Sequence, residues 1–318
     1  MVVLIALAGA SLFLGRYPAP GFSGFRILNT DILAQRLLLN LRLPRVIAAI
    51  LLGGALAGSG MVFQMIFSNP LVEPGFLGVS QGAAFGAALA IVVIGAGPVT
   101  VQLSALGFAL VGLAASYLLA RLFSYGGWIL RLILAGIAVS ALFSAGIGLL
   151  KFTADPMSEL PEITFWLLGG LWSVTWNDVV YLLPPVTVGL TILLLFRWKL
   201  NILSLDDRVA HALGGSPRRN RLLLLFAATL TTSAVISVSG LVGWAGLMIP
   251  HAARRMYGTD TRTALPASMI LGAVFMLICD DLARTVMAGE IPLGILTSMI
   301  GACSFLFLMA TRRKAKGG

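Results

Sequence analysis

Asp280, Asp281 and Arg284 stand near the end of an apolar run, in the segment ICDDLART. Ionisable groups inside a membrane segment can relay protons or line an ion path. Asp280 and Arg284 are four residues apart, so on a helix they share a face and can pair. Pairing favours a structural or docking role over a proton relay. Other reactive side chains are scarce. His211 and His251 fall at one surface, and Cys279 and Cys303 sit inside apolar runs as small hydrophobes. No CxxC or His/Cys cluster offers a metal site. GxSxG and HExxH are absent, and no nucleophile triad or pair of catalytic carboxylates can be assembled. The expectation is a chain with no catalytic, cofactor-binding or metal-binding residues of its own.

The bulk composition says what must carry these few charges. Of 318 residues, 58% are hydrophobic and 11% charged, with mean hydropathy +0.98. Soluble domains run at roughly 45–50% apolar and about 25% charged. A soluble enzyme with one large core is excluded, and a polytopic all-α membrane protein is predicted. A span needs roughly 20 residues, so ten would use about 200 and leave only short loops. Residues 1–318 are therefore read as a single transmembrane domain. Apolar runs predict ten spans: 2–15, 46–67, 79–96, 98–120, 129–150, 177–196, 218–238, 241–257, 264–283 and 293–311. The first 15 residues lack the basic start of a secretory signal and read as a first helix, a cleaved signal being the alternative. ITFWLLGGLW (163–172) is too short and too Gly-broken to span, and reads as re-entrant or interfacial.

The net charge of +10 fits basic loops on one side of a membrane better than a nucleic-acid surface, since no soluble basic domain is present. With both termini inside, the inner loops and tail hold 15 of the 22 Lys and Arg. The outer side holds Arg16, Arg26, Arg36, Arg42, Arg45, Lys151 and Arg284. Five of these lie between spans one and two, a local break in the rule that asks for a reason other than topology.

The longest inner loop, 197–221, reads as a short amphipathic helix. Ser204 can cap it, with Asp207 placed three residues on as in a capping box, and Gly214-Gly215 can end it. Leu205, Val209, Ala212 and Leu213 share one face, which lies on lipid or docks a cytoplasmic partner. Ser216-Pro217 restarts a helix. Gly54/Gly58 and Gly82/Gly86 are GxxxG pairs expected to pack helices within the bundle. Between them, SNPLVEPGFLGVSQG stops one helix at Pro70, Pro74 and Gly75, and Ser80 can cap the next. Such irregular backbone must be wet or buried in protein.

The run RLPRVIAAILLGGALAGSGMVFQMIFSNPLVEPGFLGVSQGAAFGA (42–87) resembles the FecCD family of ABC importer permeases, which import iron–siderophore chelates, haem and cobalamin. The likeness continues through FWLLGGLWSVTWNDV (165–179), LNILSLDDRVAHALG (200–214), SGLVGWAGLMIPHAARRMYGTDTR (239–262) and DLARTVMAGEIPLGILTSMIGACSFLFLM (281–309), and is loose only in the first 40 residues.

The resemblance implies ten transmembrane helices per subunit in the type II ABC importer permease fold. It implies a second copy as homodimer partner, two cytoplasmic ABC ATPase subunits carrying ATP and magnesium, and one extracytoplasmic substrate-binding protein. The absence of any Walker motif here agrees. It places coupling to the ATPase between spans six and seven, where Leu203, Leu205, Asp206, Ala210 and Gly214 match. It implies that Arg42, Arg45 and Arg284 meet acidic residues on the binding protein, so that charge reversal at Arg42 or Arg45 weakens docking, with lipid headgroup contact as the alternative. It points to span five for the translocation path. There Gly136, Ser140, Ser144 and Gly148 recur every four positions, as a path stripe or equally as a packing seam.

The expected function is the permease subunit of a binding-protein-dependent importer in a cytoplasmic or inner membrane. It moves a metal chelate, iron–siderophore first, by ATP-driven alternating access. Haem, cobalamin and molybdate or tungstate are alternative cargoes. An ion-gradient-driven secondary carrier is the rival class, and the missing intramembrane acids speak against it.

Overall fold

A computed structural model describes residues 1–17, 21–22, 31–95, 97–205, 207–212, 216–287 and 289–314. Arg26, Asp206, Leu213, Gly214, Gly215 and Lys316 lie outside the described residues. Among the described residues the regular structure is helical apart from a two-residue ladder, Leu14–Gly15 against Gly21–Phe22. Thirteen helices follow in chain order among the described residues. They are α1 (Val2–Phe13), α2 (Ile32–Ile66), α3 (Val79–Ile94), α4 (Pro98–Leu122), α5 (Trp128–Thr153), α6 (Glu159–Leu168) and α7 (Trp176–Leu195). After these come α8 (Arg197–Leu203), α9 (Asp207–Ala212), α10 (Pro217–Ser239), α11 (Ala245–Tyr257), α12 (Thr261–Thr285) and α13 (Leu293–Lys314). Each of the ten expected spans has a helix. Among the described residues, six are long and apolar enough to cross a membrane: α2, α4, α5, α7, α10 and α12. α1 and α11 have 12 and 13 residues, fewer than a crossing at 1.5 Å per residue requires.

α2 differs most from its sequence reading. It begins 14 residues before position 46, with Asp31 capping Leu33 and Ala34, and it passes through one wide turn at Leu38–Arg42. Polar residues at 35, 36, 40 and 42 hid this extension from a hydropathy reading. α3 is capped by Gly78 at φ +77°, not by Ser80, whose N–H bonds back to Gly75.

Burial sorts the helices. The most apolar stretch of α2 is 83% buried within the chain and that of α10 is 72%, against 28% for α4 and α5. α2 and α10 are thus the centre, and α4 and α5 turn large side chains to lipid or a partner. Hydrocarbon gives no reason to bury large apolar groups, so small residues mark the contacts. On α4 the inward stripe is Val101, Ala105, Ala109, Gly112, Ser116 and Ala120. The backbone carbonyls of Phe108 and Ser104 lie where a Cβ on Gly82 or Gly86 would stand, so that pair does pack within the chain. On α2 the tightest crossings are at Gly53, against Gly272, and Gly60, against Gly246. The expected pair falls short of this. Gly54 is in ordinary contact, and Gly58 faces side chains only, the flexible Met269 and, more loosely, Leu190. Hydroxyls bridge the same contacts, Ser59 to the Ala228 carbonyl (3.0 Å) and Ser268 to the Ala57 carbonyl (3.1 Å).

The segment expected to be re-entrant is a ten-residue helix, α6, followed by a loop that three helix ends share. Gly170 N–H donates to Ser239 O at 2.7 Å, and Leu293 N–H to Gly169 O at 2.8 Å. This satisfies irregular backbone inside protein. Gly240 holds φ +65°, ψ −163°, with the Trp166 carbonyl where a Cβ would go. That backbone region is essentially reserved for glycine and costs about 1–3 kcal/mol otherwise. Overpacking adds about 1–3 kcal/mol. Gly240→Ala is expected to lower stability by about 2–5 kcal/mol in thermal unfolding of the purified chain. Gly107→Ala, with nothing within 4 Å of its Cβ, should change it by no more than about 1 kcal/mol. Equal melting of the two variants would refute the crossing.

Candidate docking and coupling sites

The charged residues singled out in the sequence fall at opposite ends of the bundle. Gln102 on α4 lines a cavity with Trp172 and Ser239, and Arg121 on the same helix lines another with His211 and Arg218. Nineteen residues of helix separate these positions by about 28 Å, close to the hydrocarbon thickness of a bilayer.

At the first end, Asp280, Asp281 and Arg284 are joined by Arg45 and Glu290. Arg45 Nε donates to Asp280 at 2.8 Å, and its Nη1 reaches both Glu290 oxygens at 2.8 Å. Arg284 lies 3.5 Å from Asp280, the expected i,i+4 pair, and also bonds Asp281. Ser11 Oγ donates to Asp281 at 2.5 Å, and Arg284 Nη1 donates to the Leu14 carbonyl at 2.6 Å. Arg42 donates to the carbonyls of Leu12 (3.0 Å) and Tyr17 (3.2 Å). Arg45 and Arg284 are 8% exposed and Asp280 is fully buried. The cluster therefore fastens α1 and α12 to α2. Their charges are matched within the chain, so Arg45 and Arg284 do not present themselves outward as the docking expectation required. Eight of the 12 acidic residues lie at this end, so it is not a net positive surface. Among the described residues of the N-terminal segment, Arg16 and Arg36 are its exposed cations.

Beside the cluster lies a cavity of about 410 Å³ that no motif signalled. Phe165, Trp166 and Trp172 supply aromatic walls, and Glu162, Ser237 and Ser239 supply polar groups. Phe165 and Trp172 meet edge to face at 6.4 Å. Asp178 fixes the neighbouring start of α7 by accepting from Thr175 N–H (2.7 Å) and Gln102 Nε2 (2.6 Å). The Trp/Gly content of 163–172 was the only clue in the sequence, because the cavity is assembled from α4, α6 and α10.

The stripe Gly136, Ser140, Ser144 and Gly148 changes character along α5. Gly136 packs against Leu77, Ser140 is half-buried, Ser144 is exposed, and Gly148 has nothing within 4 Å of a Cβ. Four-residue spacing drifts about 40° per step, so a stripe that starts in a seam leaves it after three steps. It is a packing seam at one end and an open surface at the other.

At the second end the expected single helix is two, α8 and α9. The Ser204 hydroxyl donates to the Asn201 carbonyl at 2.8 Å and closes α8; the cap it was expected to give α9 lies against residues outside those described. α8 is pinned to the start of α12, since Asn201 Nδ2 donates to Asp260 at 2.7 Å and Thr261 Oγ1 donates to Asn201 Oδ1 at 2.8 Å. The Arg262 backbone N–H and the Asn201 amide hold the Asp260 carboxyl below its usual range. Leu203 (2% exposed) and Ala210 (0%) anchor the segment to the bundle, while Leu205 (46%) and Val209 (48%) point away from it. Ser216 precedes α10 as expected but its side chain makes no capping bond. Asp206 and Gly214, the other two expected coupling residues, lie outside the described residues. The geometry thus offers two half-exposed apolar side chains, one in the bend before α9 and one on it, flanked by the buried Leu203 and Ala210, which is how a docking knob is built.

Comparisons with known proteins add an independent finding. The sequence profile described as "FecCD transport family" matches residues 3–311. The molybdate import system permease protein MolB of Haemophilus influenzae is 38% identical, covering 96% of this chain and 92% of its own length. The hemin transport system permease protein HmuU of Yersinia pestis is 37% identical, covering 100% and 96%. A solved ABC transporter described as metal-chelate type and inward-facing superposes with TM-score 0.90 at 37% identity, covering 98% of this chain and 97% of that one.

Proposed function

The chain belongs to the FecCD transport family, and on that premise we propose that it imports a metal chelate, iron–siderophore first, as half of a homodimeric pore worked by ATP-driven alternating access. It is a membrane permease subunit of an ABC importer rather than a catalytic enzyme. The observation that carries the mechanistic reading is the exposure of Leu205, just before α9, and Val209 on it, in a segment that Leu203 and Ala210 anchor to the bundle. Such a segment can take a push from a soluble partner and pass it to α12 through the neighbouring α8, by way of Asn201 and Thr261, and to α10 beside it. Two ABC ATPase subunits, holding ATP and magnesium, supply that push in this reading. Nucleotide can shift the pore between states only by its differential affinity for them.

The second end is then cytoplasmic, with both termini inside. The first end faces the extracytoplasmic binding protein. Arg42, Arg45 and Arg284 serve docking indirectly here, by holding the face in shape. α5 turns its open surface, Ser144 and Gly148, toward the second copy and the path. The relatives named for molybdate and haem keep oxyanion, haem and cobalamin as alternative cargoes.

Proteoliposomes containing the chain, its ATPase and its binding protein test this. Ferric chelate uptake is expected to require binding protein on one side and ATP on the other. Uptake driven by an ion gradient with no ATPase present would replace the proposal with a secondary carrier. Uptake of molybdate but not of any chelate would keep the mechanism and change the cargo.

A further inference from the structure

α10 and α11 are joined by a strip of five non-helical residues, Gly240, Leu241, Val242, Gly243 and Trp244. Its depth follows from the two helices, each of which has one terminus at the end held by α8. Lys199 on α8 reaches Asn220 on α10 at 3.3 Å, and Ser239 lies 19 residues further, about 28 Å along the helix. Asn201 on α8 holds Asp260 and Thr261, and from there α11 climbs from Tyr257 to Ala245, about 18 Å. The strip therefore runs between heights of about 28 Å and 18 Å, within a hydrocarbon layer about 30 Å thick. Irregular backbone occurs at such depth only where protein or a water-filled cavity satisfies it.

The two ends of the strip are satisfied by protein. Gly240 N–H donates to the Ile236 carbonyl at 2.9 Å, and Ala245 N–H to the Gly243 carbonyl at 2.8 Å. Trp244 N–H faces the Glu73 carboxylate, in a turn with φ +67° that is costly for so bulky a residue. The middle is different. Among the described residues, no hydrogen bond reaches the N–H groups of Leu241, Val242 and Gly243 or the Val242 carbonyl. α13 covers part of the strip, with Gly294 packed on the Leu241 carbonyl and Gly301 on Trp244. At Gly243 the cover stops, since nothing lies within 4 Å of where its Cβ would stand. Hydrocarbon cannot fill that space, because it offers the peptide groups nothing to bond. The upper end of the strip, at Gly240, stands with Ser239 in the wall of the aromatic cavity at the first end. We propose that residues 240–244 form a wetted wall of the translocation passage, whose free peptide groups bond water and the polar rim of a cargo in transit. The strip presents donors and an acceptor but no ionisable side chain, which suits a polar cargo that must pass without being held. The passage is the one proposed above, and this wall of it rests on that reading. A second copy pressed tightly on Gly243 is the other cover that would spare the strip from lipid.

The test uses the full chain in lipid nanodiscs, with Cys279→Ala and Cys303→Ala so that an introduced cysteine is the only thiol. Gly243→Cys fits without displacing a neighbour. The probe is a charged, membrane-impermeant methanethiosulfonate, because thiols react as thiolates and these form in water. Gly107→Cys on α4 is the comparison, exposed on the outer surface of the subunit and at a similar height, about 21 Å along the helix from Arg121. Gly243→Cys should be modified faster than Gly107→Cys by about tenfold or more, read by intact-mass spectrometry. Modification no faster than at Gly107 would overturn the proposal, because the strip would then be sealed by the second copy. The parent chain reports by itself, should a variant not fold. In hydrogen–deuterium exchange its amides at 241–243 should exchange as fast as those of an unstructured peptide, while the amides of α10 around Ala228 stay protected. Protection of the strip equal to that of α10 would overturn the proposal as well. Neither measurement needs the ATPase, the binding protein or a cargo. ATP-driven uptake can therefore fail while the strip proves wet, and the reverse.

Discussion

An Arg45→Ala subunit is expected to lose about 3–5 kcal/mol of stability, the cost of leaving a buried charge without its partner. Asp280 has no solvent exposure, and Arg45 is its nearer base, 2.8 Å away against 3.5 Å for Arg284. Arg45 also carries Glu290, whose side chain is 37% exposed, so the Glu290 half of the loss should be small. A graded series follows. Arg45→Ala should unfold at the lowest temperature in detergent, Glu290→Gln a little below the parent, and Arg36→Ala with the parent. Replacing Arg45, Asp280 and Glu290 together with apolar residues of similar volume should recover most of the stability. A buried ion pair is seldom worth more than the hydrophobic contact that could stand in its place. If Arg45→Ala melts with the parent, the ion cluster does not hold α1 and α12 to α2. If binding-protein affinity falls while melting is unchanged, Arg45 is a direct docking residue after all.

This series also shows where sequence reasoning stopped. The pairing of Asp280 with Arg284 was legible because helix periodicity places residues four apart on one face. Nothing local links Arg45 to Asp280, 235 positions away, so Arg45 looked like a surface cation. Membership of an apolar run was the available clue. Pro44, Arg45 and Val46 are all buried at a point where hydropathy alone would begin the span. The same logic explains α4. Its small residues at 101, 105, 109, 112, 116 and 120 carry the contact, a pattern visible in the letters once burial is expected to favour small side chains. The crossings at Gly53 and Gly60 were invisible, because either residue could have paired with several glycines and only the partner helix decides. Hydropathy placed the ten main helices within a few residues except at α2, where polar side chains on a buried helix defeat it. The aromatic cavity between α4, α6 and α10 left only the Trp/Gly content of 163–172 as a trace in the sequence, since its walls come from three different helices.

The two ends of the subunit respond differently to charge for a physical reason. At the first end, acids and arginines are buried together, so salt should barely affect them. At the second end, basic groups face water or headgroups with few acids beside them, and salt should weaken what binds there. A partner that docks through apolar contacts at the second end must therefore tolerate the surrounding positive field, and its own edge is expected to be acidic.

That expectation meets its hardest test at Leu205 and Val209. Replacing both with aspartate should reduce ATP-driven uptake by tenfold or more while leaving the melting temperature near that of the parent. The two side chains are 46% and 48% exposed, so aspartate at either place stays solvated in the free subunit. In the assembly the same carboxylates would be desolvated at the centre of a contact. Burial of one unpaired charge there costs at least about 2 kcal/mol, or about 30-fold in affinity. Two separate measurements are needed, co-purification of the ATPase with the variant and nucleotide hydrolysis stimulated by the binding protein. Loss of both would mean that the ATPase no longer grips this helix. Retained co-purification with lost stimulation would mean that it grips but no longer transmits. Leu203→Asp is the comparison that separates transmission from folding. Leu203 is 2% exposed, and its replacement should lower the melting temperature before it touches coupling. If the Leu205/Val209 variant transports at the parental rate, α9 is not where the motor pushes, and the anchoring of α8 by Asn201 and Thr261 serves only the fold.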